Sequence, residues 1–334
     1  MTVDGTTQAT TDWAAVDAVR TAGGEPVARL MERLERRLVE LATGHGAELA
    51  AFAGSTISAG GKRLRPLLVF LAAGVPAPES EALLSAAVAV ELVHAATLVH
   101  DDVLDGSALR RGRPTVVAAG GRAAATATGD LLFSRAFAEL RTLRSAEAIR
   151  ILSRASSELA AGELMQRADA WTPVDSERYF ERCRLKTAVL FRASCELGAT
   201  AAGADADAVR GLAEFGERIG LAFQLLDDVL DVTGPPERTG KPRGADLLDG
   251  TVTLPLILAR DRDRELRELD LRSIRTPQDA AAVCARIAET DALEDARAEA
   301  LDFVAGAKQL LPGLPEPQRA ALDLVADGVV SRYA

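Results

Sequence analysis

Val99-His100-Asp101-Asp102-Val103-Leu104-Asp105 closes a long apolar run, and Leu226-Asp227-Asp228-Val229-Leu230-Asp231 repeats its last five letters about 126 residues later. Each copy follows a stretch of helical character, Val88 to Val99 before the first and Ile219 to Leu226 before the second. A helix turns once per ~3.6 residues, so positions i and i+4 share a face. Asp101 therefore stands over Asp105, and Asp227 over Asp231. Stacked carboxylates repel by roughly 0.2–0.5 kcal/mol per exposed pair, and by more when buried. A hard cation offsets that repulsion, and Mg²⁺ suits the task because it binds through one or two carboxylates and keeps positions open for substrate phosphates. One such word alone is most simply a solvated acidic face. Two copies, both on apolar helices, favour a metal site built from Asp101, Asp102, Asp105, Asp227, Asp228 and Asp231.

Basic residues supply the complementary half. Gly60-Gly61-Lys62-Arg63-Leu64-Arg65-Pro66 precedes the first acidic word, and Arg110-Arg111-Gly112-Arg113-Pro114-Thr115 follows it. Guanidinium groups grip phosphate oxygens in pairs and stay charged at any working pH. The Gly-Gly break sets Lys62 and Arg65 near the start of the next helix, where backbone N–H groups attract anions in their own right. Two carboxylate clusters and two basic clusters fit metal-bridged diphosphates.

The 334 residues are long for one domain but within reach of a single large bundle. Hydrophobic residues make up 48% and aromatics 4%, with abundant alanine, a balance that favours helix over strand. The formal net charge of −10 argues against nucleic acid as the main partner. No window holds 18 uninterrupted apolar residues, which argues against a membrane span. The start, Met1-Thr2-Val3-Asp4-Gly5, lacks the basic and apolar regions of a secretory signal, and the expected location is cytoplasmic. Cys183, Cys195 and Cys284 form no CxxC pair and are expected to be reduced and buried. No zinc site is implied.

Along the chain, residues 1–24 are rich in Thr, Ala and Gly and are expected to be disordered, with the folded domain covering 25–334. Helical spacing begins at Val27, Leu30, Met31 and Leu34. Further helices are expected over 79–105, from Thr115 or, past Gly120-Gly121, from Ala123 to Arg141, and over 147–168. Others should run from a cap at Val174-Asp175-Ser176-Glu177 to about Thr200, and from Asp205 or Asp207 through the second acidic word. The Gly- and Pro-rich segment 234–246 carries Lys241 and Arg243 and reads as a loop able to close over a charged ligand. Helices follow over 252–260, 278–310 and 315–332. No convincing strand is found.

These motifs, in this order, resemble those of the trans-isoprenyl diphosphate synthases, or polyprenyl synthetases: Gly60-Gly61-Lys62-Arg63-Leu64-Arg65-Pro66, His94 with Asp101 to Asp105, Arg110-Arg111-Gly112, Lys186-Thr187, and Phe223-Gln224 with Asp227 to Asp231. The resemblance spans ~25 to 334. It implies an all-α fold, a large helical bundle around a central cavity, usually as a homodimer. It implies that Asp101, Asp105 and Asp227 hold Mg²⁺, with Asp102, Asp228 and Asp231 in support. Arg110, Lys186, Thr187, Gln224 and Lys241 would contact an allylic diphosphate, and Lys62, Arg65, His94 and Arg111 would hold isopentenyl diphosphate. Thr251 stands where many relatives carry Lys, which weakens the expected grip on the allylic diphosphate there.

The implied reaction condenses isopentenyl diphosphate with the allylic diphosphate, head to tail, to give a longer polyprenyl diphosphate. Metal and cationic side chains would stabilise charge on the departing diphosphate, and that group is thought to take the final proton, so no protein base is required. In relatives the growing tail runs along the helix matching 79–105, and side chains one turn before Asp101 set its length. Here these are Ala96 and Thr97, with Val93 a turn further. One turn spans ~5.4 Å, comparable to an isoprene unit. Small residues there point to C20 or longer, unless Phe70, Phe133 or Phe137 closes the tunnel. Two rival readings are a class I terpene cyclase and a non-catalytic subunit of a heteromeric synthase. The repeated aspartate word and the Gly-Gly-Lys-Arg stretch weigh against the first. Retention of both words weighs against the second.

Overall fold

The structure is a computed structural model and describes residues 17–44, 46–75, 77–110, 112–234, 243–311 and 313–331. It opens with a helical stretch over residues 17–22 and then α1 (Gly24–Thr43), α2 (Ala47–Ser58) and α3 (Leu64–Ala72). The expected disorder of residues 1–24 is thereby corrected over 17–22, because Val19 is buried in the core and Gly23 N donates to Val19 O at 3.0 Å. Residues 1–16 lie outside the described part.

Three long helices build the centre: α4 (Glu81–Asp105), α5 (Val116–Arg141) and α6 (Ala146–Asp169). Ser80 starts α4 by accepting a hydrogen bond from Leu83 N at 3.1 Å, and Gly106 ends it in the left-handed conformation that glycine tolerates. By length and composition α4 would cross a bilayer, yet 78% of its apolar window is buried inside the molecule. Its most extensive contact is with α5. Thr115 caps α5 by accepting from Ala118 N at 3.2 Å, so the helix starts at Val116 and not at Ala123. The glycine pair leaves a kink instead, with Gly121 at φ 78°.

After α6 come α7 (Ser176–Cys183), a π-helical turn (Arg184–Ala188), α8 (Val189–Ala201) and α9 (Ala206–Thr233). The expected cap before α7 is present, with the Asp175 carboxylate accepting from Arg178 N at 2.8 Å. The remainder is α10 (Ala245–Leu248), α11 (Leu254–Arg262), α12 (Arg264–Glu268), a 3₁₀ turn (Leu271–Ser273), α13 (Pro277–Ala288), α14 (Ala292–Lys308) and α15 (Glu316–Ser331). Two expectations are corrected. The segment 278–310 is two helices, because Thr290 turns the chain, donating to Ile287 O at 2.7 Å and accepting from Ala292 N at 3.3 Å. A minimal strand pair also exists, Leu109–Arg110 against Arg113–Pro114, folded about Gly112 at φ 73°.

The helices around the π-turn approach through glycine. A Cβ on Gly162 of α6 would lie 2.6 Å from Lys186 N, and one on Gly220 of α9 would lie 2.6 Å from Ala188 Cα. The π-turn is therefore gripped from two sides with no room for a methyl group. Replacing Gly162 by Ala is expected to destabilise the protein by ~1–3 kcal/mol through overpacking. Gly211 of α9 meets no atom within 4 Å, and Gly211→Ala is expected to stabilise by ~0.5–1 kcal/mol. Urea melts of the two variants check this, and equal midpoints would contradict it.

Candidate active site

Both acidic words lie near the C-terminal ends of their helices, α4 and α9, where exposed carbonyls already make the potential negative, and neither last turn carries a basic residue. Helix physics alone disfavours carboxylates there. Within each word the second aspartate points inward. Asp102 is 4% exposed and Asp228 2% exposed, whereas Asp101 is half-buried and Asp105 and Asp227 are exposed.

The inward pair are tethered by protein. Arg110 binds Asp102 Oδ1 through Nε at 2.9 Å and Nη2 at 2.8 Å. Tyr179 Oη donates to Asp228 Oδ2 at 2.6 Å, and Gln224 Nε2 donates to Asp228 Oδ1 at 2.7 Å. Burial pushes the Asp228 carboxyl well above its ordinary range, with Asp246 and Asp227 adding, while Tyr179 and Gln224 hold it back. The Asp231 carboxylate accepts from Ala245 N at 3.1 Å and Asp246 N at 3.3 Å, at the start of α10. Asp102 through Oδ1, and Asp228 and Asp231 through both oxygens, are thus held by protein donors, as befits the supporting role expected of them.

The two words are joined through the π-turn. Lys186 Nζ lies 2.5 Å from Glu163 Oε2 on α6, and both charges act on Asp101. On the next residue, Thr187 Oγ1 donates to Gln224 Oε1 at 2.7 Å, and Gln224 holds Asp228. One five-residue turn therefore reaches the first aspartate word through Lys186 and the second through Thr187. A π-turn inserts extra backbone into a helix and occurs often at functional sites. Burial pushes the Asp101 carboxyl up to about 6, opposed by Lys186 and Arg110 and aided by Glu163 and Asp105.

The basic motif divides in the same way. Arg63, in the left-handed conformation at φ 49°, is buried against Glu35 and Glu91, each at 2.7 Å, and donates to Ile57 O at 2.9 Å. It is a structural residue that ties α1, α2 and α4 to the start of α3. Its neighbours Lys62 and Arg65 are half-buried. Arg65 Nη1 lies 3.3 Å from His94 Nε2, and its guanidinium sits 4.6 Å from the Phe191 ring centroid. Arg65 and His94 are thus brought together by α3, α4 and α8. Arg111 and Lys241 lie outside the described residues.

Sequence reasoning missed Tyr179, Arg167 and the role of Glu163. Arg167 pairs with Asp105 and donates to Glu163 Oε1 at 2.9 Å. Thr251 is half-buried and its N–H donates to Asp246 O at 2.8 Å. Of the proposed chain-length residues, Ala96 and Val93 are fully buried, and Thr97 is half-buried with its hydroxyl donating to His94 O at 2.8 Å. The three cysteines are free and buried as expected. Among the described residues no three His, Cys, Asp or Glu side chains form a ready-made metal cage. The outward donors, Asp101, Asp105 and Asp227, are all hard carboxylate oxygens, a set that fits Mg²⁺ completed by phosphate oxygens.

Asp101 gives a pH-dependent stability. The native state holds its proton more tightly than the unfolded chain, so this group's contribution is fully present below its ordinary pKa and is lost as pH rises through about 6. Asp101→Asn is expected to stabilise the metal-free protein at pH 8 by on the order of 1–3 kcal/mol, with the gain vanishing near pH 4. Thermal melts in chelator check it; a gain constant across that range would contradict it.

Comparison with known proteins agrees with this geometry. The polyprenyl synthetase family model matches residues 47–290. The heptaprenyl diphosphate synthase component 2 of Geobacillus stearothermophilus is 42% identical over 261 residues, covering 78% of this chain and 82% of that protein. The geranylgeranyl diphosphate synthase of Methanosarcina mazei is 35% identical over 283 residues, covering 83% and 87%. The polyprenyl synthase of Caulobacter crescentus, solved with calcium and isoprenyl diphosphate, superposes with a TM-score of 0.89 at 37% identity over 96% of this chain and 98% of that one. The long helices, the paired aspartate words and the matched span together place this chain in the polyprenyl synthetase family.

Proposed function

We propose that this polyprenyl diphosphate synthase is an Mg²⁺-dependent enzyme that extends an allylic diphosphate with isopentenyl diphosphate to C20 or longer, working as a cytoplasmic homodimer. The link of Lys186-Thr187 to both aspartate words carries the reading: the Lys186 charge acts on Asp101, and Thr187 reaches Asp228 through Gln224. In this reading Asp101, Asp105 and Asp227 are the carboxylates that hold the cations. Bound Mg²⁺ supplies electrophilic neutralisation of the leaving diphosphate.

The chain's own residues bind and orient. Lys186 presents a positive charge where the allylic diphosphate would develop negative charge, and Thr187 and Gln224 fix the turn that carries it. Lys62 just before α3, Arg65 on α3 and His94 on α4 form a second basic patch for isopentenyl diphosphate, with Arg111 as a further candidate. Asp102 holds Arg110 beside the first word, while Tyr179 and Gln224 hold Asp228 beneath the second. Apolar side chains of α4 above Asp101, with Ala96, Thr97 and Val93 nearest, bound the path of the tail. Small side chains at those positions support a long product.

The homodimer and the cytoplasmic location rest on the family resemblance. The relatives from Geobacillus stearothermophilus and Bacillus subtilis are each called component 2 of their synthases, so sedimentation and turnover of this chain alone form the relevant test. A single inactive chain would favour the heteromeric reading.

Asp227→Ala is expected to lower turnover by at least ~100-fold, the scale of losing one charge-stabilising group, with helical content unchanged. Substantial activity in that variant would contradict the assigned role. Ala96→Phe is expected to shorten the product by one or more isoprene units, read by chromatography of products from labelled isopentenyl diphosphate. An unchanged product would place the floor elsewhere.

A further inference from the structure

We propose that Arg167 is a built-in competitor for the cation at Asp105, a positioning residue whose ion pair must break when metal loads. The inference rests on the metal-binding reading of Asp105 and adds a residue that the sequence motifs leave out. Arg167 reaches from α6 across to the end of α4, where its Nη2 pairs with Asp105 Oδ1. Its Nε donates to Glu163 Oε1 at 2.9 Å, and the other oxygen of Glu163 holds Lys186 Nζ at 2.5 Å. Asp105, Arg167, Glu163 and Lys186 therefore form one chain of alternating charge. It runs from a metal-facing carboxylate to the lysine on the π-turn.

This pair differs from the others in the site. The Arg110–Asp102 pair uses the inward aspartate of its word, 4% exposed, and can persist when a cation sits on the outward carboxylates. The Arg167–Asp105 pair uses an outward one, and a guanidinium bonded to Oδ1 stands where a cation would bind. The side chains of Arg167 and Asp105 are 37% and 26% exposed, so the pair is easily displaced. Solvent-exposed ion pairs of this kind contribute ~0.2–1 kcal/mol, which corresponds to about 1.4- to 5-fold in cation affinity.

Displacement has a consequence at the other end of the chain. Arg167 released from Asp105 remains one helical turn from Glu163 and takes a larger share of its carboxylate. Lys186 then loses part of its hold on Glu163 and turns to the incoming diphosphate. Metal arrival at Asp105 and availability of Lys186 are coupled through two side chains on α6.

Electron paramagnetic resonance of free Mn²⁺, titrated into metal-free protein with inorganic pyrophosphate, measures the cation affinity directly. Arg167→Met is expected to bind Mn²⁺ about 1.4- to 5-fold more tightly than the unmodified chain, with Arg167→Lys in between. The gain is expected to vanish in an Asp105→Asn background, since the coupling belongs to that pair. Equal or weaker binding by Arg167→Met would overturn the proposal, as would a gain that persists undiminished with Asp105→Asn, the mark of a general field effect. If the unmodified chain binds no Mn²⁺ with pyrophosphate, or Asp105→Asn binds it equally well, the metal role of Asp105 fails and the proposal falls with it.

Discussion

Everything in the site depends on how closely three stretches of backbone approach one another at the π-turn. Gly162 on one side and Gly220 on the other bring α6 and α9 against Arg184–Ala188 at distances that exclude a side chain. That approach puts Lys186 beside Glu163 and Thr187 beside Gln224. Without it the two aspartate helices would be fastened only to their own neighbours, and the charges of α4 and α9 would not share a field. Close-packed interiors transmit small displacements, so the spacing of the carboxylates is set by packing as much as by sequence.

The same repeated word performs two tasks because a helix rotates by ~100° per residue. The first aspartate of each word faces the open side, and the second turns into the core, where Arg110 or the Tyr179–Gln224 pair satisfies it. Burying a carboxylate is costly unless donors compensate, and each inward aspartate has them. The outward carboxylates stay concentrated at helix ends whose carbonyls add to the negative potential. A strong local demand for cations results, met in this structure by Lys186 near Asp101 and Arg167 on Asp105.

The aspartate words, their helical setting and the ordered basic motifs were legible because each is a local pattern with a fixed period. The caps at Thr115 and Asp175 belong to the same class of short-range signal. What was not legible came from contacts between distant segments. Tyr179 carries no motif of its own and matters only because α7 sets its hydroxyl against Asp228, 49 residues away. Arg167 reads as an ordinary i, i+4 partner of Glu163 until the fold brings Asp105 to it across 62 residues. Arg63 sits inside the basic stretch 60–66 yet is absorbed by Glu35 and Glu91, a fate that its neighbours' charges do not reveal. The π-turn has no one-dimensional signal, since its residues favour an ordinary helix equally well. The break at Thr290 rests on one hydroxyl-stabilised turn inside a run whose apolar period continues on both sides.

The proposed function requires that two aspartate words 126 positions apart in the chain serve one cation and diphosphate site around Lys186. The anomalous-scattering map of crystals grown with Mn²⁺ and inorganic pyrophosphate tests it most directly. Mn²⁺ peaks are expected against the carboxylates of both words, with pyrophosphate between them and in contact with Lys186. Metal confined to one word, or pyrophosphate bound away from Lys186, would contradict it.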